Sequence, residues 1–268
     1  MIDKGLRTGT FKAFAEKYVG DKISLLTFAH VNKIIMKDKT AVGVEVSRFG
    51  KIDQFYADQE VILSAGTIGS PQILMLSGIG DTEHLQEVGV ESVHHLPEVG
   101  HNLQDHLIVP VNFDTPEPLS LDVLASLYPA TLLNYLRDGS GPLSSTGGLS
   151  GAAHVVTSIN NDTRHRPDLQ LHLCALTIAI DHGLVLKKNF GVSDLSWSWA
   201  SGHVHNYSSM ILPTINRPRS RGFIKLRSNN PHDHPVIQPN YLTLQEDVDT
   251  LVAGIKVALD LLNTQVRS

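Results

Sequence analysis

The chain has 268 residues, of which 41% are hydrophobic and 18% are charged, with a formal net charge of −5 at neutral pH. This mixture is ordinary for a globular protein and leaves room for about two domains of roughly 150 residues each. The 22 Lys and Arg residues form no basic stripe, so we expect no nucleic-acid partner. No apolar run approaches the roughly 18 residues of a membrane span, and the single cysteine, Cys174, leaves the cellular compartment open.

The first part of the chain predicts one short helix followed by several strands. The segment from Phe11 to Tyr18 carries its apolar residues on one helical face. Later segments are rich in β-branched residues and are separated by polar or glycine turns. The predicted strands are Ile23 to Met36, Ala41 to Val46, Ile52 to Tyr56 and Glu60 to Ser64.

A bend of small residues, Ser64-Ala65-Gly66, ends the last of these strands. Ser70 and Pro71 then predict a helix start, and Gly78 predicts its end. Such a bend lets a ligand lie against the backbone, and a helix N-terminus offers free N–H groups and the positive end of its dipole. The alternative is a tight packing turn between strand and helix.

The remaining helices, strands and loops are predicted from the same kinds of pattern. Thr82 to Val88 predicts a second short helix, and 96–111 predicts a loop. Asp122 to Leu136 has a helical pattern interrupted by Pro129, and Asp138 to Gly151 has the composition of a loop or lid. The other predicted elements are strands at Leu169 to Leu173, Ser209 to Leu212 and Gly222 to Leu226, and a final helix capped by Thr243 with Glu246.

Several segments together resemble one enzyme family. Gly66-Thr67, Ser70-Pro71, Ile73-Leu74 and Ser77-Gly78-Ile79-Gly80 match a signature of the glucose–methanol–choline (GMC) oxidoreductases. The segments Leu96 to His106, Arg217 to Gly222 and Pro235 to Leu242 resemble later parts of the family pattern. The chain is therefore identified as a member of this FAD-dependent, alcohol-oxidising family over nearly its whole length. The stretch Gly141 to Gly148 resembles its animal glucose-dehydrogenase-like branch.

The resemblance implies an α/β (α+β) fold with two parts. Residues 1–112 would form the middle of a partial FAD-binding domain. Residues 113–242 would form a substrate domain built on an antiparallel sheet with helices behind it. Residues 243–268 would form a helix that returns toward the FAD-binding domain.

The resemblance also assigns a cofactor site. Val31 would lend its main chain to the adenine of FAD, and Ser64, Ala65 and Gly66 would lie near the adenosine part. Asn102, Asp105 and His106 would lie near the flavin side and the domain junction. The alternatives are that Val31 belongs to the sheet core, and that Asp105 and His106 only fix a loop by hydrogen bonds.

Two features of the family pattern are missing from the sequence. Its dinucleotide fold opens with a G-x-G-x-x-G turn that seats the pyrophosphate, and no such turn occurs here. Gly78-Ile79-Gly80 follows a helix, and Glu83 stands at the third-glycine position, so we interpret these glycines as a turn. The family's active-site histidine lies beyond the helix that ends near Leu262, so no catalytic residue is assigned. We expect a central fragment that neither binds FAD tightly nor turns over.

The resemblance and the missing features leave two possible functions, an enzyme and a binding protein. The parent protein would be an FAD-dependent oxidoreductase that moves hydride from an alcohol or sugar to the flavin and passes electrons to oxygen or a quinone. The alternative is a catalytically inactive, truncated binding protein that retains the substrate domain. A nicotinamide-dependent dehydrogenase is disfavoured because its glycine turn is also missing.

Other site types receive little support from the sequence. The pairs His203 with His205 and His232 with His234 have no obvious third ligand, so no metal is expected. No G-x-S-x-G elbow of a serine hydrolase occurs. Glycosylation sequons begin at Asn161 and Asn206, which does not fix the compartment.

Overall fold

The computed structural model describes residues 2–3, 5–115, 120–121, 126, 128–145, 148–177, 179–184, 186–203 and 207–264. The strands are β1 (Ile2–Asp3), β2 (Leu6–Arg7), β3 (His30–Lys37), β4 (Thr40–Arg48), β5 (Lys51–Tyr56), β6 (Ile79–Gly80), β7 (His94–His95), β8 (Val111–Thr115), β9 (Leu149–Val155), β10 (Leu169–Cys174), β11 (Tyr207–Ile215), β12 (Phe223–Lys225) and β13 (Val236–Gln238). The helices are α1 (Gly66–Leu76), α2 (Thr82–Glu87), α3 (Pro129–Asp138), α4 (Leu186–Asn189), α5 (Asp194–Ala200) and α6 (Gln245–Leu262).

The chain divides into two compact units, each built from separate segments. Unit 1 holds the described parts of 1–19, 106–217 and 245–268, and unit 2 holds 20–105 and 218–244. These boundaries differ from the predicted ones, because 218–244 belongs to the same unit as 20–105. Which unit serves a cofactor and which a substrate stays a prediction.

Unit 1 is organised around a four-stranded antiparallel sheet in the order β8-β11-β10-β9. Helix α6 packs on one side of it, where Leu169, Leu171, Ile211 and Ala258 form the buried core. Gly254 allows this close approach, because a Cβ there would lie 2.8 Å from Cδ1 of Leu169. The sheet and helix therefore enclose the apolar core of unit 1.

Unit 2 combines a β3-β4-β5 meander with helix α1 and the β12-β13 hairpin. Its core contains Met75 from α1, Leu85 from α2, and Ile224 and Leu226 from the β12 region. β6 and β7 add a short parallel pair. The mixed α/β (α+β) class with antiparallel sheets is thus confirmed.

Most predicted strands are present, but two predictions need correction. The strand expected at Ile23 to Met36 covers only His30–Lys37. Glu60 to Ser64 is not a strand, because it has no ladder partner among the described residues, and its central Ile62 is 77% exposed. An apolar run becomes a strand only where a second strand satisfies its backbone groups.

Three predicted helix boundaries also differ from the structure. α1 begins at Gly66 and contains Pro71, instead of beginning at Ser70. α6 begins at Gln245, two residues after the predicted cap Thr243. Pro129 begins α3 instead of interrupting a helix, as proline at a first helical position readily does. Residues 122–125 and 127, in the first half of that predicted helix, lie outside the described residues.

The predicted loop at Asp138 to Gly151 includes regular structure. It contains a short 3-10 turn at Pro142–Ser144, and β9 starts at Leu149, while residues 146 and 147 lie outside the described part. The domain crossing predicted at Pro116 to Pro118 also lies outside it. Within the residues that the structure describes, no helix has both the length and the apolarity needed to cross a membrane.

Candidate functional site

The bend at Ser64, Ala65 and Gly66 is exposed at the N-terminus of α1. Gly66 has φ +82°, and a Cβ built on it would meet no atom within 4 Å. Since α1 starts at Gly66, the N–H groups of its first turn lie at the bend itself. The bend therefore offers open backbone and the positive end of an 11-residue helix.

Val31 lies in β3, opposite Val46 of β4. Its side chain is half-buried, whereas the next residue, Asn32, is buried. Asn32 donates to Glu45 Oε1 at 3.2 Å and accepts from Ser47 Oγ at 2.9 Å. These bonds join β3 and β4 beside Val31, and its predicted main-chain contact with adenine stays a prediction.

Residues 96–105, 218–222 and 235–242, from the segments that carry the family resemblance, converge in unit 2. Leu103 and Gly222 exchange two backbone hydrogen bonds of 3.0 and 2.9 Å. A Cβ on Gly222 would lie 2.1 Å from the Gln238 carbonyl oxygen, and one on Gly100 would lie 2.1 Å from that of Ile224. Glycine is therefore required at both positions for the segments to approach each other.

Side-chain hydrogen bonds reinforce this convergence. Arg221 Nε donates to Asn102 Oδ1 at 2.8 Å, and Asn240 Nδ2 donates to the Arg221 carbonyl at 3.0 Å. The Tyr241 hydroxyl donates to Asp105, and this hydrogen bond raises the pKa of Tyr241. Asn102 and Asp105 thus hold the loop in place, and their contact with a cofactor stays a prediction.

Arg221, Asn240 and Tyr241 are not predicted individually from the sequence. All three lie inside segments that resemble the family pattern, so the sequence marks their positions but not their partners. No local pattern indicates which side chains from segments more than 100 residues apart will meet. His106 is exposed and is the first residue of a unit 1 segment, so the predicted cofactor residues are divided between the units.

Unit 2 also contains a cavity of about 490 Å³. It lies beside β3, the end of α1 and residues 89–93, and none of the seven predicted cofactor residues lines it. Ser77 on its wall accepts from the Ile34 N–H at 2.8 Å and donates to the Ile73 carbonyl at 2.5 Å. Because the Ser77 hydroxyl is already paired, it is a structural feature of the wall.

His84 is a buried titratable group that no sequence motif indicates. It is 8% exposed, and its Nε2 accepts from the Leu226 N–H at 3.0 Å. Burial, followed by the nearby Lys225 charge, lowers its pKa. A neutral His84 therefore joins α2 to the chain just after β12.

The described residues contain no cluster of three His, Cys, Asp or Glu side chains that could hold a metal ion. The His232 ring lies over the His30 ring with centroids 4.7 Å apart, and its Nε2 is 3.3 Å from Ser47 Oγ. His203 belongs to a short 3-10 turn, and His205 lies outside the described residues.

Comparisons with known proteins point to one family. Residues 2–108 match a GMC oxidoreductase N-terminal model, and residues 218–268 match its C-terminal model. The chain is 37% identical to glucose dehydrogenase (FAD, quinone) of Drosophila melanogaster over 97% of its own length and 40% of that protein. It is 36% identical to alcohol dehydrogenase (acceptor) of Pseudomonas putida, over 94% of its own length and 43% of that protein.

A solved structure supports the same relationship. The crystal structure of formate oxidase superposes with a TM-score of 0.80 at 26% identity, covering 97% of this chain and 47% of that one. The chain thus spans less than half the length of these relatives.

Proposed function

Since this chain belongs to the GMC oxidoreductase family, we propose that it is part of an FAD-dependent oxidoreductase acting on CH–OH groups of alcohols or sugars. The family resemblance noted in the sequence is confirmed by the two model matches, which carry this proposal. The names of the relatives include glucose, alcohol, FAD and quinone, which supports a hydroxylated substrate and a quinone or other acceptor.

FAD would supply the chemistry by taking up the hydride, and this chain would help to hold it. The open bend supports this role, because Gly66 leaves free space where any other residue would place a Cβ. We assign the adenosine half to Val31 and the bend at 64–66, and the flavin side to Asn102, Asp105 and His106. The α1 N-terminus adds N–H donors for polar or anionic atoms of the cofactor.

The 268 residues contain no glycine-rich pyrophosphate turn and no assigned catalytic base. We therefore propose that this chain alone binds FAD weakly and does not oxidise an alcohol. The remaining affinity should come from the adenosine half.

The test titrates FAD with the purified chain and measures binding by the fluorescence anisotropy of the flavin. We expect a Kd above about 1 μM, with AMP competing and FMN not competing. Gly66→Ala should weaken FAD binding by about tenfold, which is the loss of roughly 1.4 kcal/mol.

Gly50→Ala is the matched control. Gly50 is also exposed, has φ +77° and has no atom within 4 Å of a built Cβ, so both variants should lose similar stability. Equal FAD affinity in the two variants would contradict the role of the bend. FAD that survives dialysis at full occupancy would contradict the proposed weak binding, and no binding of FAD or AMP would contradict the cofactor assignment.

A further inference from the structure

The loop between β9 and β10 carries arginine side chains that converge on one carboxylate. Asp162 Oδ2 accepts from Arg166 Nε at 2.6 Å, and Asp162 Oδ1 lies 3.4 Å from Arg164 Nε. Arg217, just after β11, places its Nη1 3.4 Å from Asp162 Oδ2. We call Arg164, Arg166 and Arg217 the arginine cluster, and all three belong to unit 1.

Hydrogen bonds within the loop hold the cluster in a fixed geometry. The Asp162 N–H donates to Asn160 Oδ1 at 2.8 Å, and Asn160 Nδ2 donates to the Arg166 carbonyl at 2.8 Å. The Arg164 N–H donates to Asp162 Oδ1 at 2.9 Å. This backbone N–H and then the Arg166 side chain lower the pKa of Asp162, so its carboxylate stays ionised and keeps the arginines together.

The end of β11 is joined to the same loop. The Asn216 N–H donates to the Asp168 carbonyl at 3.0 Å, which brings the next residue, Arg217, beside the loop. The Asp168 carboxylate accepts from the Thr157 N–H and hydroxyl at 2.9 and 2.6 Å. Asp168 therefore has its own partners, and three positive charges converge on the single carboxylate of Asp162.

The cluster presents its positive charge to solvent. The Asp162 side chain is only 19% exposed, whereas Arg164, Arg166 and Arg217 are 69, 46 and 45% exposed. The ion pair of Lys187 with Asp194 shows the opposite arrangement, since its carboxylate is 96% exposed. The surface at the cluster is therefore positive, although the chain as a whole has a net charge of −5.

Most hydrogen-bond donors of the cluster are unused. A guanidinium group has five N–H donors in a planar fork. Arg164 and Arg166 contact Asp162 through Nε, and their Nη groups donate to no atom of the described residues. Guanidinium forks pair best with carboxylates, to which they donate two parallel hydrogen bonds. The free donors and the excess charge together favour a carboxylate-bearing ligand.

We propose that the arginine cluster is a docking site for an acidic segment of a partner protein. This function goes beyond the oxidation proposed above and does not depend on it. A single exposed ion pair contributes little, so one small anion would bind weakly to such an open surface. Several carboxylates on one segment bind together, because the first contact holds the others nearby. The net negative charge elsewhere on the chain repels the partner and so directs it to the cluster.

The experiment titrates the isotope-labelled 268-residue chain with acetylated hexaglutamate and follows backbone amide chemical shifts. The buffer contains about 25 mM salt, at which exposed charges are only weakly screened. We expect the amides of residues 157–166 and 216–217 to shift, with a Kd below about 1 mM. Hexaglutamine should cause no shift, and about 300 mM salt should weaken the binding of hexaglutamate.

Variants of the cluster test which side chains bind. Arg164→Gln and Arg166→Gln should each weaken hexaglutamate binding by about threefold. Arg164 makes only a 3.4 Å side-chain contact with Asp162, so its replacement should leave the loop folded. Arg137→Gln is the matched control, because it removes the same charge from an arginine that is 74% exposed and paired with Asp138. It should bind hexaglutamate like the parent.

Three results would overturn the proposal: no binding of hexaglutamate, shifts confined to other segments, or equal affinity in the Arg164→Gln, Arg166→Gln and Arg137→Gln chains. Inorganic phosphate and phosphatidylserine vesicles are titrated in parallel. If either binds the cluster more tightly than hexaglutamate does, the assignment to a protein partner is wrong.

Discussion

Acidification should selectively weaken unit 2 through His84. In the folded chain this ring is buried and accepts a hydrogen bond from the Leu226 N–H, which requires a neutral Nε2. Burial and Lys225 lower its pKa, and the opposing charges of Glu87 and Asp81 only partly compensate. The unfolded chain therefore binds a proton at a higher pH than the folded chain does.

The direction and the size of the stability change follow from this difference in the pKa of His84 between the folded and unfolded chain. Above the ordinary value of 6.5 both states are neutral at His84, so the full stability is present. As pH falls below 6.5, the unfolded state gains the proton first and stability is lost. At about 1.36 kcal/mol per pH unit, the loss between pH 6.5 and pH 5 cannot exceed roughly 2 kcal/mol.

The assay compares the parent chain with His84→Gln in urea denaturation at pH 5.0 and pH 7.5. Glutamine keeps an acceptor but does not titrate, so the parent should lose up to about 2 kcal/mol more than the variant on acidification. The protection factor of the Leu226 amide gives a local measure and should fall more in the parent than in the variant on acidification. Identical pH slopes in both proteins would refute the reasoning. Gln86→Ala, at an exposed and non-titrating residue of the same helix, is the control and should retain the parent slope.

Three further results are expected. Gly222→Ala should destabilise the chain by about 1–3 kcal/mol in urea denaturation, because its Cβ would meet the Gln238 carbonyl oxygen at 2.1 Å; unchanged stability would contradict this packing. Tyr241→Phe should lose about 0.5–1 kcal/mol with its hydrogen bond to Asp105, because both side chains are exposed, and an unchanged melting temperature would argue against that bond. Limited proteolysis should cut first within Asp138 to Gly151, and resistance there would contradict the loop prediction, with the cut site read by mass spectrometry.

Predictions from sequence patterns were most accurate where the structure depends only on residues close together in the chain. The strands of the meander and the helix after Asp81 follow from β-branched residues, turn residues and a glycine stop, all within a few positions. Glu60 to Ser64 failed because strand formation depends on a partner that no local pattern specifies. The helix begins at Gly66 and not at Ser70, because Gly66 adopts a positive φ and turns the chain into the helix before Ser70 is reached.

The segments that form the candidate site could be predicted from the sequence, but the contacts between them could not. Family resemblance marked Asn102 and Asp105, yet their partners Arg221 and Tyr241 lie 119 and 136 residues away. Gln170 and Asn112 share one face of the unit 1 sheet only through the register of three strands. Register is set by the whole sheet, so alternation along one strand cannot reveal which side chains gather across it.

The division of unit 1 into separate segments bears on its synthesis. Strands β8 to β11 leave the ribosome well before α6, which covers their apolar face in the finished unit. Between them, the chain must complete the last part of unit 2. The completed sheet therefore exposes its apolar surface while the roughly 30 residues between Ile215 and Gln245 are made, and folding chaperones would be most needed during that interval.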